Sequence, residues 1–476
     1  MKKLILLVIV IASNIVAFAQ YATGDNTTAI DFAQILGTAD RATRDLTDLP
    51  PSWSIKKYAP SPKNQGKYGT CVAWSSAYAA RTISYAIQKK QTNTDSINNF
   101  TFSPGFLYYK IKSAGDTGCA KGSNIVAAME VMKSGIVLKK DGPGDCAGLL
   151  SDEMEKIKAP LYRIKDFLRL NDSYYGLTKN DIIKIKKSLT ENKPVVISLR
   201  VHESFNSVGA DGLWSPGGID KYLGGHALCV VGYDDKAAGS GAFEVMNSWG
   251  PGWGNRGFFW LTYDQMIAYG NYAVEMMDQE IKTVEKKPEI MGNIEFISLD
   301  QKTMPVKRSK VTTRSIIVED DETADYSLYK FVENYAGGTA FKMKFNTNAP
   351  SYMYVFAEDD QSVISRLFPY NKTVSAAINS PNATYFFPSE TKHARLSKTP
   401  GKENICVLFS KTEIDFEGLM SYISNTKVNI YQAVKDKLAD RLLDLKKVKF
   451  TDDKISFEAP AEDKSVLCFF IEMEHN

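Results

Sequence analysis

The spacing of apolar residues changes once in the first half of this chain, at Pro194, and that change sets what the chain can build. Before it, apolar residues recur at helical spacing. Ile125, Met129 and Met132 share one face of Asn124 to Lys133, and Ile182, Ile183, Ile185 and Leu189 turn inward from Thr178 to Leu189. The stretch from Cys71 to about Lys165 also reads as mostly helical. After Pro194, short apolar runs stand between glycine-rich turns: Val195 to Val201, Ala227 to Tyr233, Phe243 to Asn247, Gly257 to Thr262 and Tyr272 to Met277. A helical half followed by an antiparallel β half is α+β, and a cleft is expected where the halves meet.

Three segments place reactive side chains on both sides of that junction. In Asn64-Gln65-Gly66-Lys67-Tyr68-Gly69-Thr70-Cys71, a polar, glycine-punctuated loop leads into the alanine-rich Val72 to Ala80. The loop therefore delivers Cys71 to the first turn of a buried helix. Unpaired N–H groups and the positive end of the helix favour an anion there, hence thiolate over thiol. Alone, Cys71 would read better as a structural core cysteine. Gly224-Gly225-His226 opens an apolar strand, and Phe243 to Asn247 ends another, followed by Ser248-Trp249-Gly250. Of four histidines, His202 lacks such an entry and His393 and His475 lie far downstream, which leaves His226.

Cysteine, histidine and asparagine in this order resemble the papain-like cysteine peptidases, over about Pro50 to Met277. The Asn-Ser-Trp-Gly of Asn247 to Gly250, with Gly252-Trp253-Gly254, carries the resemblance furthest. It implies Cys71 as nucleophile and His226 as the base that protonates the leaving amine. It also implies that Asn247 orients His226 and that Trp249 shields that contact. Gln65 stands six residues before Cys71, at the family's spacing for a glutamine that helps bind the oxyanion. Gly118 to Ser123 resembles the glycine-containing cleft wall that holds the substrate chain, and reads equally as an ordinary helix-entry turn. No cofactor or metal is implied, and the partner is a peptide or protein substrate. Two alternatives stand beside hydrolysis. One is acyl transfer of the transglutaminase type, against which Asn247 argues, since those enzymes use aspartate. The other is a binding protein on an inactive papain fold.

The chain departs from the family beside the nucleophile, where Tyr68-Gly69-Thr70-Cys71-Val72 replaces Cys-Gly-Ser-Cys-Trp. The family's partner for Cys119 is Tyr68 here, so Cys119 is expected to pair with Cys146 in the turn-rich segment after Asp141. Cys229, Cys406 and Cys468 are expected as buried free thiols. Papain-like enzymes carry a long propeptide, and the polar stretch from Tyr21 to Asp48 is too short to resemble one.

Lys2 and Lys3, the apolar run Leu4 to Ala12 and Ala17-Phe18-Ala19 read as a signal peptide over 1–19, with export across the membrane to a secreted, extracellular or periplasmic location. A short extension would fill 20–49, the peptidase domain 50–282 and a charged linker 283–290. Lys plus Arg is 58 against 55 for Asp plus Glu, without a basic tract, so neither nucleic acid nor a polybasic membrane contact is indicated. No second apolar span follows the signal.

Residues 291–476 read as a β-sandwich-like accessory domain, separable from the chemistry and of unknown ligand. Phe341 to Phe345 and Tyr352 to Phe356 are its strands, and one helix is expected from Val428 to Lys446. It loosely resembles β-domains attached to bacterial peptidases.

Overall fold

The computed structural model describes residues 21–39, 41, 48–146, 148, 150–279, 289–309, 327–426, 428–460 and 465–476. The expected signal peptide and nearly all of the expected linker lie outside these residues.

The first lobe is built on one buried helix, α1, wound in three pieces: Cys71–Ala73, a π-wound Trp74–Arg81 and Thr82–Gln88. Every residue from Cys71 to Ser84 is buried. Small side chains on several faces (Ala73, Ser76, Ala77, Ala80) let it run through the core without a polar stripe. The π-winding has no signature in apolar spacing, and such bulges gather at functional sites. Helix α2 (Ile125–Ser134) packs beside it, with Ile125, Met129 and Met132 buried. Helix α3 (Lys179–Thr190) carries a Thr178–Asp181 capping box. Ile182, Ile185 and Leu189 of α3 are buried, while Ile183, expected inward, is only half-buried.

The second lobe is an antiparallel sheet. Its strands are β1 (Ser52–Ser54), β2 (Ile164–Arg169), β3 (Val195–His202), β4 (Tyr222–Asp234), β5 (Ala242–Met246), β6 (Phe258–Thr262) and β7 (Gly270–Asp278). Their order is β2-β7-β3-β4-β5-β6, with β1 added alongside β4. Leu199 of β3 opposes His226, and Cys229 of β4 opposes Met246 of β5. β2 is an edge strand.

The C-terminal region is a sandwich of two sheets. One runs β13 (Ile364–Phe368), β12 (Ser351–Glu358), β17 (Gly401–Ser410), β20 (Val466–His475), β10 (Ser327–Phe331) and β9 (Val306–Ser309), with β14 (Ala377–Ile378) on β12. The other runs β15 (Tyr385–Phe387), β11 (Ala340–Thr347), β8 (Glu289–Ser298), β19 (Ile455–Pro460) and β18 (Lys449–Phe450), with β16 (Ala394–Arg395) on β11. Their inner faces share Phe296, Phe345, Val355, Phe409 and Phe469. Helices α4 (Phe416–Asn425) and α5 (Ile430–Leu438) cover the outer face of the first sheet, so β12 is buried on both sides. That explains its unbroken apolar run. The single helix expected from Val428 to Lys446 instead stops at Leu438. Beyond it the main chain bonds to β20, with Leu443 N–H donating to Val466 O at 2.9 Å.

The accessory domain is not detached from the first two lobes. Leu168 and Met277 pack into one cluster with Tyr352, Tyr354 and Ala376. Tyr352 donates to Asp166 Oδ2 (3.1 Å), and Asn379 donates to the fully buried Glu275 (2.6 Å). The charged linker and the motif-poor surface beyond it are what suggest a separable module. Sequence pattern carries no sign of a second contact between units that pack.

Candidate active site

Cys71 occupies the first turn of α1, and its sulfur lies 3.5 Å from the main-chain nitrogen of Ala227, the residue after His226. His226 Nε2 is 2.8 Å from Asn247 Oδ1, which leaves Nδ1 as the ring nitrogen without a hydrogen-bond partner. The register places Asn247 there. Met246 opposes Cys229 across the antiparallel β4 and β5, so Asn247, one residue on, emerges on the His226 side of Cys229. The indole of Trp249 lies over the imidazole, ring centroids 4.7 Å apart. Gln65 is fixed at both ends. Its Oε1 accepts from Ser248 Oγ at 2.5 Å, and its Nε2 donates to Tyr68 O at 2.8 Å. The four residues singled out from sequence therefore lie in one place, at the junction of the lobes. His202, with Tyr222 and Tyr269 around it, lies outside this cluster.

Sequence reasoning missed what covers this site. Residues 21–28 run through the cleft as an extended strap. Tyr21 stacks on Trp249 (4.6 Å, 6° between planes), and Ala22 O accepts from both Gln65 Nε2 (3.1 Å) and Trp249 Nε1 (3.2 Å). Gly24 N and Asp25 N donate to Gly225 O. Ser123 N donates to Gly24 O (2.9 Å), and Asn26 N donates to Ser123 O (3.1 Å). The Gly118 to Ser123 wall thus holds a main chain, and the chain it holds is the protein's own. The fit is close: a Cβ on Gly24 would stand 2.3 Å from Gly69 O, and one on Gly225 would stand 2.2 Å from Asp25 O. A short polar segment carries no signal for such a place. Ser248 was also missed, although it sits inside the Asn-Ser-Trp-Gly run.

The strap changes the electrostatics of the pair. Cys71 and His226 are both fully buried. Burial, with the nearby Asp25 carboxylate adding to it, pushes the Cys71 thiol up, and burial pushes His226 down to about 4 despite the bond to Asn247. Asp25 is itself pushed up by burial, although hydrogen bonds to neighbouring hydroxyls, Thr27 among them, oppose the rise. The thiolate expected from the helix terminus is therefore disfavoured in the covered form, because water has been excluded from both partners.

In place of the disulfide its sequence lacks at Tyr68, the loop before α2 has Cys119 joined to Cys146. Cys71, Cys229, Cys406 and Cys468 are free and buried. Among the described residues no cluster of side chains could hold a metal ion, and no helix is long and apolar enough to cross a membrane.

A Cys–His–Asn site between a helical and a β lobe defines a class of thiol hydrolases, and comparison with known proteins narrows it. Residues 49–278 match the family model of the papain family cysteine protease, so that part of the chain is papain-like. Residues 334–413 match a domain of unknown function, DUF4384. The chain is 29% identical over 224 residues to the uncharacterized peptidase C1-like protein L477 of Acanthamoeba polyphaga mimivirus, covering 44% of this chain and 66% of that protein. It is 26% identical over 245 residues to the cathepsin B-like CP2 of Giardia intestinalis, covering 47% of this chain and 72% of that one. Among solved structures it is similar to xylellain, a cysteine protease from Xylella fastidiosa, at 24% identity and a TM-score of 0.44, covering 55% of this chain and 97% of that chain.

Proposed function

We propose that the protein is an exported cysteine peptidase that hydrolyses peptide bonds through an acyl-enzyme on Cys71 and is held latent by residues 22–28. The bond from Asn247 Oδ1 to His226 Nε2 carries this reading, because it leaves Nδ1 to take the thiol proton. Once the strap has left, Cys71 gives its proton to His226 and attacks the substrate carbonyl carbon. The carbonyl oxygen becomes an oxyanion facing Gln65 Nε2 and the Cys71 amide. That Gln65 donor already holds a carbonyl, that of Ala22. Collapse of the intermediate expels the amine, protonated by His226. Water then attacks the thioester, His226 takes its proton, and the acid leaves with Cys71 restored. Asn247 is neutral, so it orients imidazolium without competing with the thiolate for its charge.

Export is supported by the signal-like first 19 residues and by the Cys119–Cys146 disulfide, a bond kept in oxidising compartments. The substrate is a peptide or protein chain. The experiment is peptide-library cleavage by purified protein from which residues up to 28 have been removed, with Cys71→Ala as control. Cleavage lost in the control supports the reading. No cleavage from mildly acidic to neutral pH would leave the inactive-fold binding protein as the better account.

A further inference from the structure

The strap does not end at the cleft. Past Thr28 the chain makes a short helix, Ala29–Ala33, and Ile35 is buried in the core of the first two lobes. Ala39, four residues on, is buried in the core of the accessory sandwich. Between them Gly37 is bonded on both sides. Its neighbours bond to the edge strand β2: Arg169 N–H donates to Leu36 O (3.0 Å), and Thr38 N–H donates to Arg169 O (3.3 Å). Its own groups go to the accessory domain: Gly37 N–H donates to Thr373 O (2.8 Å), and Ser375 N–H donates to Gly37 O (2.9 Å). The leader is thus a one-residue strand shared by two domains.

Arg41 repeats the arrangement with charge. Its guanidinium lies 3.3 Å from Glu191 and 3.8 Å from Glu275, both of the first unit, and over the Tyr385 ring of the accessory domain at 5.8 Å. Its side chain is 7% exposed. The accessory domain also touches the same carboxylates directly, through Ser380 to Glu191 and Asn379 to Glu275. A cleft of about 430 Å³ opens beside the joint, lined by Leu36, Val374, Ala376 and Phe416.

We infer that the accessory domain is the anchor of the inhibitory leader: by holding Gly37 against β2 and Arg41 against Glu191 and Glu275 it keeps residues 22–28 in the cleft, and parting of that seam uncovers Cys71. This rests on the reading of the cleft as a peptidase site. The physical reason is tethering. A strap held only by its own few bonds in the cleft leaves and returns freely, whereas one pinned shortly downstream has a high local concentration there.

The test uses the uncut full chain and the rate at which iodoacetamide alkylates Cys71, read by peptide mapping, with Cys229 as the internal control for global opening. Arg41→Ala removes the charged clamp, and Gly37→Pro removes the N–H that bonds to Thr373. Each is expected to raise Cys71 labelling at least tenfold while Cys229 stays at its wild-type rate. Gly24→Ala, which disrupts the strap inside the cleft, calibrates the open form. If Gly24→Ala labels fast and both anchor variants label at the wild-type rate, the anchoring role is overturned and the peptidase reading stands. If no variant, Gly24→Ala included, labels Cys71 faster than Cys229, the peptidase reading fails and the anchor with it. A Gly37→Pro protein that labels every thiol is unfolded, and Arg41→Ala then decides.

Discussion

His226 and Asp25 make the covered site respond to pH in opposite directions. Burial holds His226 down to about 4, against an ordinary 6.5. A base with a depressed pKa stabilises the covered form fully above 6.5, and that stabilisation is lost as pH falls from 6.5 toward 4. Asp25 is raised from 3.8, so its contribution is full below 3.8 and is lost as pH rises through its shifted value. Asp25→Asn removes only the second loss. Asparagine still accepts from Thr27 through Oδ1. At neutral pH, Cys71 in Asp25→Asn should therefore alkylate several-fold more slowly than in wild type, with acid-driven opening retained. Equal rates across the pH range would show that the carboxyl plays no part. In leader-free enzyme, Cys71→Ala should abolish labelling and turnover, and His226→Ala nearly so. Gln65→Ala should lower turnover by roughly 10²–10³ while labelling persists, because alkylation builds no oxyanion. Asn247→Ala should leave a slower enzyme, since only orientation is degraded.

At the scale of elements, the site depends on two main-chain surfaces that tolerate no side chain. The Gly24 position faces Gly69 O, and a methyl group there would overlap it at 2.3 Å. Gly24→Ala should therefore expel the strap and raise cleavage of a small peptide by the uncut chain, measured against wild type. The loop before α2 is the second case, where a Cβ on Gly122 would stand 2.4 Å from Gly24 O. Cys119 closes a loop to Cys146, 27 residues on, and in the chain-entropy account such a closure adds about 3 kcal/mol. Cys146→Ser should lower the melting temperature, and non-reducing peptide mapping should find the Cys119 peptide crosslinked in wild type alone. α1 and α2 were legible because apolar spacing and caps are local properties. The π-winding of α1 was not, since no period in its own residues marks it.

For the whole molecule, the question is why so short a leader stays bound. Ordering its backbone costs roughly 1–2 kcal/mol per residue, and each hydrogen bond it makes returns about 0.5–1.5 kcal/mol net. Those terms nearly cancel, so contacts outside the cleft decide the balance. The seam at Gly37 to Arg41 supplies them. The same interface buries Leu168 and Met277 and pairs Glu275 with Asn379. A chain ending near Glu285 would expose all three and should melt below the full-length protein by calorimetry. Equal melting temperatures would mean the interface adds nothing.

The sequence by itself determined the two lobes, the helix behind Cys71 and the membership of Gln65, Cys71, His226 and Asn247 in one site. These follow from periodicity, from caps and from a long motif, all carried by neighbouring residues. Only the tertiary structure decided that residues 22–28 fill the cleft, that Cys71 and His226 are consequently both uncharged in this form, and that the accessory domain grips the leader. Those outcomes depend on main-chain hydrogen bonds between segments far apart in the chain. Any polar residue can make such bonds, so a short polar stretch such as Tyr21 to Asp48 gives no sign of them.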